Sequence, residues 1–153
     1  MTTIGSIKKV KLNSLFKFFG PDSTVSEIAD LMDLEDIGAV PILDESYFLL
    51  GIVSERDIVR KLVKNGRDSD LVTAKDIMST NIKSVTLETK VYEAQLILTK
   101  NKIRHLPVTD SDNKLINFLS QRDLLAGPIK NIYQILTFIG LAILLGLIAV
   151  IMS

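Results

Sequence analysis

An internal repeat is the feature that most constrains how this chain of 153 residues can fold. Residues of the first half match residues of the second half, without a gap, at a constant offset of 66 positions. The matched pairs include Val25 with Val91, Ile37 with Ile103, Pro41 with Pro107, Ser54 with Ser120, Arg56 with Arg122 and Asp57 with Asp123. Units of this length are too small to be stable alone, so we expect the two copies to pack together around one shared core.

Each copy has the same order of local signals, which predicts a helix, two strands and a second helix. In the first copy Thr24 begins a capping box ahead of the first helix, whereas Lys90 takes its place in the second copy and removes the box. The strands are predicted over residues 39–43, 48–53, 105–108 and 115–119. Pro41 and Pro107 lie inside the first strand of each copy, so we expect these strands to be edges or to end there.

Composition excludes several classes of function. The 18 basic and 18 acidic residues balance, so no global field attracts nucleic acid or an acidic substrate. There is no cysteine, which excludes disulfides, thiolate zinc sites and cysteine nucleophiles. The only histidine, His105, argues against a histidine-rich metal site or a histidine-based catalytic dyad. We therefore expect no catalytic residues, no metal site and a protein that is not an enzyme.

The C-terminal stretch has the composition of a membrane anchor. Every charged residue lies at or before Lys130, and residues 132–152 are almost all apolar, with Gln134 and Thr137 near the start. Roughly 21 helical residues span about 30 Å, the thickness of a bilayer hydrocarbon core. A buried core helix is the alternative, but the rest of the chain is too short to cover a helix that is apolar on all sides. We predict a transmembrane helix over residues 130–152, with the remaining chain in the cytoplasm.

The two copies resemble cystathionine β-synthase (CBS) domains, two of which form a Bateman module. The resemblance rests on residues 51–57 (GIVSERD), 75–79 (KDIMS), 103–110 (IRHLPVTD) and 120–123 (SQRD), in this order. It implies an α/β (α+β) fold in which two β-α-β-β-α repeats pack as one module. The repeats are expected over residues 7–66 and 67–127, with the tail outside the resemblance.

Two serine–aspartate pairs are the first candidates for function. Ser54 with Asp57, and Ser120 with Asp123, have the spacing of a helix cap, which by itself explains these residues. The same geometry also suits a ligand, since a helix start attracts phosphate and a carboxylate accepts the hydroxyl groups of a ribose. Residue chemistry leaves both roles open. In the family that the chain resembles, these residues contact the phosphate and ribose of adenosine nucleotides, so the resemblance implies nucleotide contact.

The residues after Ile37 and Ile103 differ between the copies. The second copy has Arg104 and His105, whose side chains can donate to phosphate but equally fit a solvated strand edge. In the family that the chain resembles, these two positions face ligand phosphates in the cleft between the repeats. The first copy has Gly38 and Ala39, which offer space and backbone but no charge. This asymmetry favours a cleft that contains Arg104, His105, Ser120, Arg122 and Asp123. The candidate ligand-binding residues are Ile37, Gly38, Ala39, Pro41, Ser54, Arg56, Asp57, Ile103, Arg104, His105, Pro107, Ser120, Arg122 and Asp123.

One position departs from the pattern of the repeat. Asn117 stands where the first copy has Gly51. Because asparagine tolerates a positive φ better than other side chains do, we expect it to keep the turn that a glycine would make.

These observations predict a membrane-anchored regulatory module that binds an adenosine-containing ligand, namely AMP, ADP, ATP or S-adenosylmethionine. Ligand binding would modulate an unknown membrane or cytoplasmic partner, and no cofactor is required. The alternative is a ligand-free dimerisation or scaffolding module at the membrane, in which the serines and aspartates only cap helices. The resemblance also implies a homodimer. Nucleic-acid binding would rest only on the N-terminal lysines and is not favoured.

Overall fold

Two antiparallel hairpins, each flanked by helices, form the two halves of the structure, a computed structural model that describes residues 2–11, 16–125, 136–137, 139–141 and 143. The chain begins with a 3₁₀ turn (Ile4–Ser6) and α1 (Lys8–Lys11), followed by α2 (Val25–Leu34), β1 (Ala39–Leu43), β2 (Leu49–Ser54) and α3 (Glu55–Asp57). A π-helical turn (Ile58–Leu62), a 3₁₀ turn (Val63–Asn65) and α4 (Ala74–Ile77) lead to the second repeat. The second repeat consists of α5 (Val91–Asn101), β3 (His105–Thr109), β4 (Leu115–Ser120) and α6 (Gln121–Leu125). The predicted order of helix, strand, strand and helix is confirmed in both copies.

The two hairpins have the same register. Ala39 pairs with Ser54 in the first hairpin, and His105 pairs with Ser120 in the second. Both ladders shift at equivalent positions near the turn, between Ile42 and Leu43 and between Val108 and Thr109. This register places the serine that begins the following helix opposite the first residue of the neighbouring strand, and so fixes the positions of the candidate residues.

The prolines do not end the strands. Pro41 and Pro107 lie in the middle of β1 and β3, and the carbonyl of each accepts a backbone N–H, from Phe19 at 3.2 Å and from Val85 at 3.0 Å. The N–H and C=O of one residue point to the same side of a strand. The proline nitrogen, which carries no hydrogen, therefore lies on the side away from the hairpin partner, and no hydrogen bond within the hairpin is lost. Where the structure describes the chain, the first strand that the family resemblance implies for each repeat is a short parallel bridge, of Phe19 with Ile42 and of Val85 with Val108.

Helix α2 begins with the predicted capping box. The Thr24 hydroxyl accepts from the Glu27 N–H at 3.2 Å, and the Glu27 carboxylate accepts from the Thr24 N–H at 2.9 Å. In the second copy the Glu93 carboxylate accepts from the Lys90 N–H at 3.2 Å. A lysine side chain has no acceptor, so the half of the box that the Thr24 hydroxyl makes is missing there, as predicted, while the half that Glu93 makes still forms.

The segment ahead of each repeat packs against the other repeat. Ile4 is fully buried in a cluster with Leu106 and Leu119 of the second repeat, and its N–H donates to the Thr89 carbonyl. Ile77 of α4 is fully buried in the cluster of the first repeat. The buried residues therefore form two main clusters, joined by a small third one, and the prediction of a single shared core is wrong. The second repeat is thus completed by the N-terminal segment, and the first repeat by the segment that directly follows it.

Gly51 is required for a close approach and not for a turn. Gly51 and Asn117 lie within β2 and β4, and neither is among the described residues with a positive φ, so this prediction is wrong. A Cβ at Gly51 would lie 2.5 Å from the Met78 sulfur atom and 3.0 Å from the Met78 Cβ. Asn117 is 1% exposed, and within the described part of the chain its buried amide nitrogen has no hydrogen-bond partner.

Most of the predicted transmembrane helix, residues 130–152, lies outside the described residues. Within the part of the chain that the structure describes, no helix is both long and apolar enough to cross a membrane. The described residues of this stretch are helical, with exposed apolar side chains at Leu136, Ile139, Leu141 and Ile143. A membrane span is not shown.

Substituting Gly51 with alanine will destabilise the fold by about 1–3 kcal/mol, because the new methyl group overpacks against Met78. Urea denaturation measures this change. Gly20→Ala is the matched control, since a Cβ there meets nothing within 4 Å. Shortening Met78 to alanine in the Gly51→Ala background will restore part of the loss. A Gly51→Ala protein as stable as wild type would contradict the close approach.

Candidate functional site

Two clefts lie between the repeats, and each combines the serine–aspartate motif of one repeat with strand residues of the other. The larger, which we call the Asp123 cleft, has a volume of about 940 Å³. The smaller, the Asp57 cleft, has a volume of about 270 Å³. Four residues line both clefts and mark their boundary: Gly38, Ala39, Arg104 and His105.

The structure brings most of the predicted residues to one cleft or the other. The Asp123 cleft also contains Ile37, Ser120, Arg122 and Asp123, and the Asp57 cleft also contains Ser54, Arg56, Asp57 and Ile103. The predicted grouping of Arg104, His105, Ser120, Arg122 and Asp123 is thus present in one cleft. Pro41 and Pro107 line neither cleft, because both are buried in the middle of a strand.

Asp57 has no acceptor capacity left for a ligand. Its Oδ2 atom accepts from the backbone N–H and the hydroxyl of Ser54. Its Oδ1 atom accepts from the Ser79 hydroxyl at 2.8 Å and from the Lys61 ammonium at 2.9 Å. A carboxylate offers about four lone-pair positions, and four protein donors fill them. The Asp57 carboxylate is therefore used entirely within the fold.

The same network fixes the ionisation state of Asp57. Burial alone would raise the pKa of this carboxyl group, but hydrogen bonds from Ser54, Lys61 and Ser79 hold the pKa below its ordinary value. Lys61 also donates to the Ile77 carbonyl at 2.6 Å. Together these contacts join the helix after the motif to the segment after α4.

Asp123 differs from Asp57 in the atom that its donors reach. The backbone N–H of Ser120 at 2.7 Å, the Ser120 hydroxyl at 2.9 Å and the Lys9 ammonium at 3.1 Å all donate to Oδ2. Within the described residues no donor reaches Oδ1, which is also not among the buried atoms without a partner. Asp123 lines the cleft, and its Oδ1 atom therefore has both lone pairs available to accept hydroxyl groups.

Asp123 is also ionised at neutral pH. Burial raises the pKa of its carboxyl group, but the hydrogen bonds from Ser120 and the nearby charge of Lys9 hold the pKa below its ordinary value. An ionised carboxylate makes stronger hydrogen bonds with hydroxyl groups than a neutral one does.

His105 forms an apolar wall of the Asp123 cleft. Its ring stacks on Phe118, with ring centroids 5.6 Å apart and an interplanar angle of 3°. Burial, together with the charge of Arg104, lowers the pKa of His105 to about 4. The imidazole is therefore neutral at physiological pH and does not supply the positive charge that the sequence suggests for phosphate binding.

The rim of the Asp123 cleft is not positively charged overall. Arg104 forms an exposed ion pair with Glu55, at 3.2 Å, and Lys17 forms one with Glu35, at 3.1 Å. The cleft is lined by four basic residues (Lys9, Lys17, Arg104 and Arg122) and five acidic residues (Asp33, Glu35, Asp36, Glu55 and Asp123). This balance favours a ligand of low net charge over a triphosphate. Within the described part of the chain, no group of acidic or histidine side chains could hold a metal ion.

The sequence does not single out several residues that line the clefts. Lys9, Glu55 and Phe118 line the Asp123 cleft, and Ser79 lines the Asp57 cleft. Ser79 is the last residue of the KDIMS segment on which the family resemblance partly rests, and that segment is the sequence signal that could have identified it. Lys9 lies outside the motifs, and its place in the cleft depends on how the N-terminal segment packs.

Stability will fall between pH 6.5 and about 4 because His105 is neutral in the folded protein. In this window the unfolded chain binds a proton at His105 and the folded chain does not, so the loss grows to at most about 3 kcal/mol at the acid end. Urea denaturation at pH 7 and pH 4.5 measures the free energy of unfolding at both ends of this window. The His105→Gln variant is the control, because it lacks the part of the pH dependence that His105 contributes. An NMR titration midpoint of the single histidine near pH 6.5 would contradict a neutral His105.

Sequence and structure comparisons place the chain among known proteins. The family model of the CBS domain matches residues 13–64 and 74–129. An uncharacterized protein of Methanopyrus kandleri is 39% identical over 105 residues, which are 69% of this chain and 54% of that protein. The chain spans 54% to 62% of the lengths of the first three curated relatives that it matches.

Solved structures have the same fold. A CBS-domain protein of Burkholderia ambifaria superposes with a TM-score of 0.77 at 30% identity, over 84% of this chain and 95% of that chain. CBSX2 in complex with AMP superposes with a TM-score of 0.70 at 22% identity, over 85% of this chain and 98% of that chain. A CBS-domain pair in complex with 5′-methylthioadenosine and S-adenosyl-L-methionine superposes with a TM-score of 0.69 at 22% identity, over 82% of this chain and 94% of that chain. At 22% identity the last two show the fold alone.

Proposed function

The chain belongs to the CBS-domain family, with two CBS domains in tandem, and we propose that it is a regulatory module that binds an adenosine-containing ligand in the Asp123 cleft. The sequence leaves AMP, ADP, ATP and S-adenosylmethionine as candidates, and the balanced charge of the cleft favours AMP and S-adenosylmethionine over ATP. Binding changes the stability of one conformation relative to another, and a partner responds to that change.

The observation that carries this proposal is the open Oδ1 atom of Asp123. A ribose presents two neighbouring hydroxyl groups, and an ionised carboxylate oxygen with two lone pairs accepts both. Asp57 occupies the equivalent position in the other repeat, but protein donors fill both of its oxygens. We therefore propose one adenosine site in each chain, formed around Asp123.

The walls of the cleft also suit a purine. Phe118 and His105 form a stacked pair, and the apolar side chains of Ile37 and Ile58 line the same cleft. Apolar walls with a few convergent polar groups are typical of small-molecule sites. Two solved CBS pairs of this fold contain AMP or S-adenosyl-L-methionine, and these ligands share an adenosine group. The shared fold and ligand class support the proposal.

The alternative function is a ligand-free scaffold, in which the serine–aspartate pairs only cap helices. The filled carboxylate of Asp57 favours this role in the smaller cleft. It does not account for the open oxygen in the larger cleft. The two functions differ in what a substitution at Asp123 changes.

Asp123→Asn will weaken the binding of AMP about tenfold or more, because the amide offers a neutral acceptor in place of a charged one. Isothermal titration of the full chain in detergent, stripped of copurified nucleotide, measures the affinity. Asp57→Asn is the matched control and will leave affinity within about twofold of wild type. Thermal denaturation of both variants separates loss of binding from loss of stability.

A second ligand tests the ribose contact directly. Wild-type protein will bind 2′-deoxy-AMP more weakly than AMP, and Asp123→Asn will reduce this preference, because the missing hydroxyl is one that Asp123 accepts. If wild-type protein binds none of AMP, ATP, 5′-methylthioadenosine and S-adenosylmethionine at millimolar concentration, the ligand-free scaffold stands in place of the regulatory module.

We also propose that residues 130–152 anchor the module to a membrane, with the CBS pair in the cytoplasm. The described residues of this stretch carry exposed apolar side chains, at Leu136, Ile139, Leu141 and Ile143, and such an unpaired apolar surface is costly in water. Lys130 directly precedes the apolar stretch and fits a cytoplasmic flank.

The full chain will float with phospholipid vesicles in a density gradient and will remain with them after an alkaline carbonate wash. A chain that ends at Lys130 will stay at the bottom of the gradient. Circular dichroism shows whether the shortened chain keeps its fold. Full-length protein that leaves the vesicles in carbonate would argue against a spanning helix.

The homodimer that the family resemblance implies stays a prediction. Two pairs of exposed apolar residues are four positions apart: Val59 and Val63 in the two turns after α3, and Tyr92 and Leu96 on α5. These residues are the surface that we propose for pairing.

A further inference from the structure

We propose that Lys9 is a positioning residue for the Asp123 cleft: its ammonium group holds Oδ2 of Asp123 and thereby leaves Oδ1 open to the ligand. This inference rests on the proposed adenosine site. It makes a residue outside the repeat motifs a determinant of ligand affinity.

The segment that carries Lys9 is fixed on the second repeat. Ile4 is fully buried there, and its N–H donates to the Thr89 carbonyl at 2.8 Å. The Gly5 N–H donates to the Leu87 carbonyl, also at 2.8 Å. Helix α1 follows four residues after Ile4, so Lys9 extends from an anchored backbone.

Two acceptors hold the ammonium group of Lys9. It donates to the Phe118 carbonyl at 3.0 Å and to Oδ2 of Asp123 at 3.1 Å. The side chains of Lys9 and Asp123 are 33% and 23% exposed, so the pair is partly shielded from water. The bond to Phe118 ties the ammonium group to β4, which distinguishes this contact from a mobile surface ion pair.

The other repeat shows why a cation must come from elsewhere. Asp57 receives its ammonium from Lys61, four residues later, and this bond lies on Oδ1. The residue four positions after Asp123 is Gly127, which has no side chain. Lys9 supplies the missing cation, but it reaches the opposite oxygen. The position of the cation, together with the Ser79 hydroxyl that also donates to Oδ1 of Asp57, accounts for the closed state of one carboxylate and the open state of the other.

Other charged groups near Asp123 do not replace Lys9. His105, on β3, faces the carboxylate but is neutral at physiological pH. Arg104 is paired with Glu55 of α3 across the cleft. Arg122 adjoins Asp123 on α6, and within the described residues no hydrogen bond joins the two side chains. Lys9 is the cation in direct contact with Asp123 in the described part of the chain.

Lys9→Met tests the proposal, with adenosine as the probe because its charge does not change between pH 5 and pH 8. Titration of the full chain in detergent will show an affinity about tenfold lower at pH 7, because Oδ2 of Asp123 loses its charge-assisted contact and the carboxylate no longer holds Oδ1 toward the ligand. The pKa of the Asp123 carboxyl group will rise, because the nearby charge of Lys9 no longer stabilises the ionised form. Lys9→Arg will restore most of the affinity. Lys8→Met, on the exposed neighbour, will behave as wild type.

A purely structural role predicts a different result. Lys9→Met would then lower the melting temperature but leave the affinity unchanged, and this outcome would overturn the proposal. An NMR titration of the Asp123 carboxyl group in ligand-free protein gives a second measurement, and an unchanged midpoint in Lys9→Met would also overturn it. Wild-type protein that binds no adenosine ligand would instead refute the proposed function, whereas wild-type binding that Lys9→Met retains in full refutes only the role of Lys9.

Discussion

The bond between a serine and the aspartate three residues later is the interaction on which the rest of this structure depends. Strand β2 ends at Ser54 and α3 begins at the next residue, and β4 and α6 meet in the same way at Ser120. In each case the carboxylate accepts the serine N–H and hydroxyl. These bonds replace a connecting loop and hold the helix start at the edge of a cleft. One carboxylate therefore serves both the backbone and the cleft.

The two repeats differ in which oxygen of that carboxylate accepts hydrogen bonds from the rest of the protein. Around Asp57, Lys61 and Ser79 occupy the oxygen that the cap leaves free. Around Asp123, Lys9 binds the oxygen that the cap already uses. The sequence motif is the same in both copies, so the difference arises from residues outside the motif. A duplicated unit has in this way become one closed site and one open site.

Local signals in the sequence predict the hairpins and the capping of α2, because these features depend on neighbours within a few residues or on the regular offset of the repeat. The grouping of Arg104, His105 and Asp123 in one cleft comes instead from the resemblance to CBS domains. The contacts of Lys9 with Asp123 and of Ile4 with the second repeat join residues more than a hundred positions apart, and no periodicity encodes them. The neutral state of His105 also depends on burial, which the residue type does not reveal.

The exchange of segments between the repeats has a consequence for how the molecule folds. Ile4 completes the buried cluster of the second repeat, and Ile77 completes that of the first, so neither half has a finished interior by itself. The chain must bring its N-terminal end to its last strand before that interior closes, and contacts of such long sequence separation slow the search for the native state. Cutting the chain between the copies would leave two fragments with exposed apolar surfaces. Neither copy is therefore expected to fold by itself.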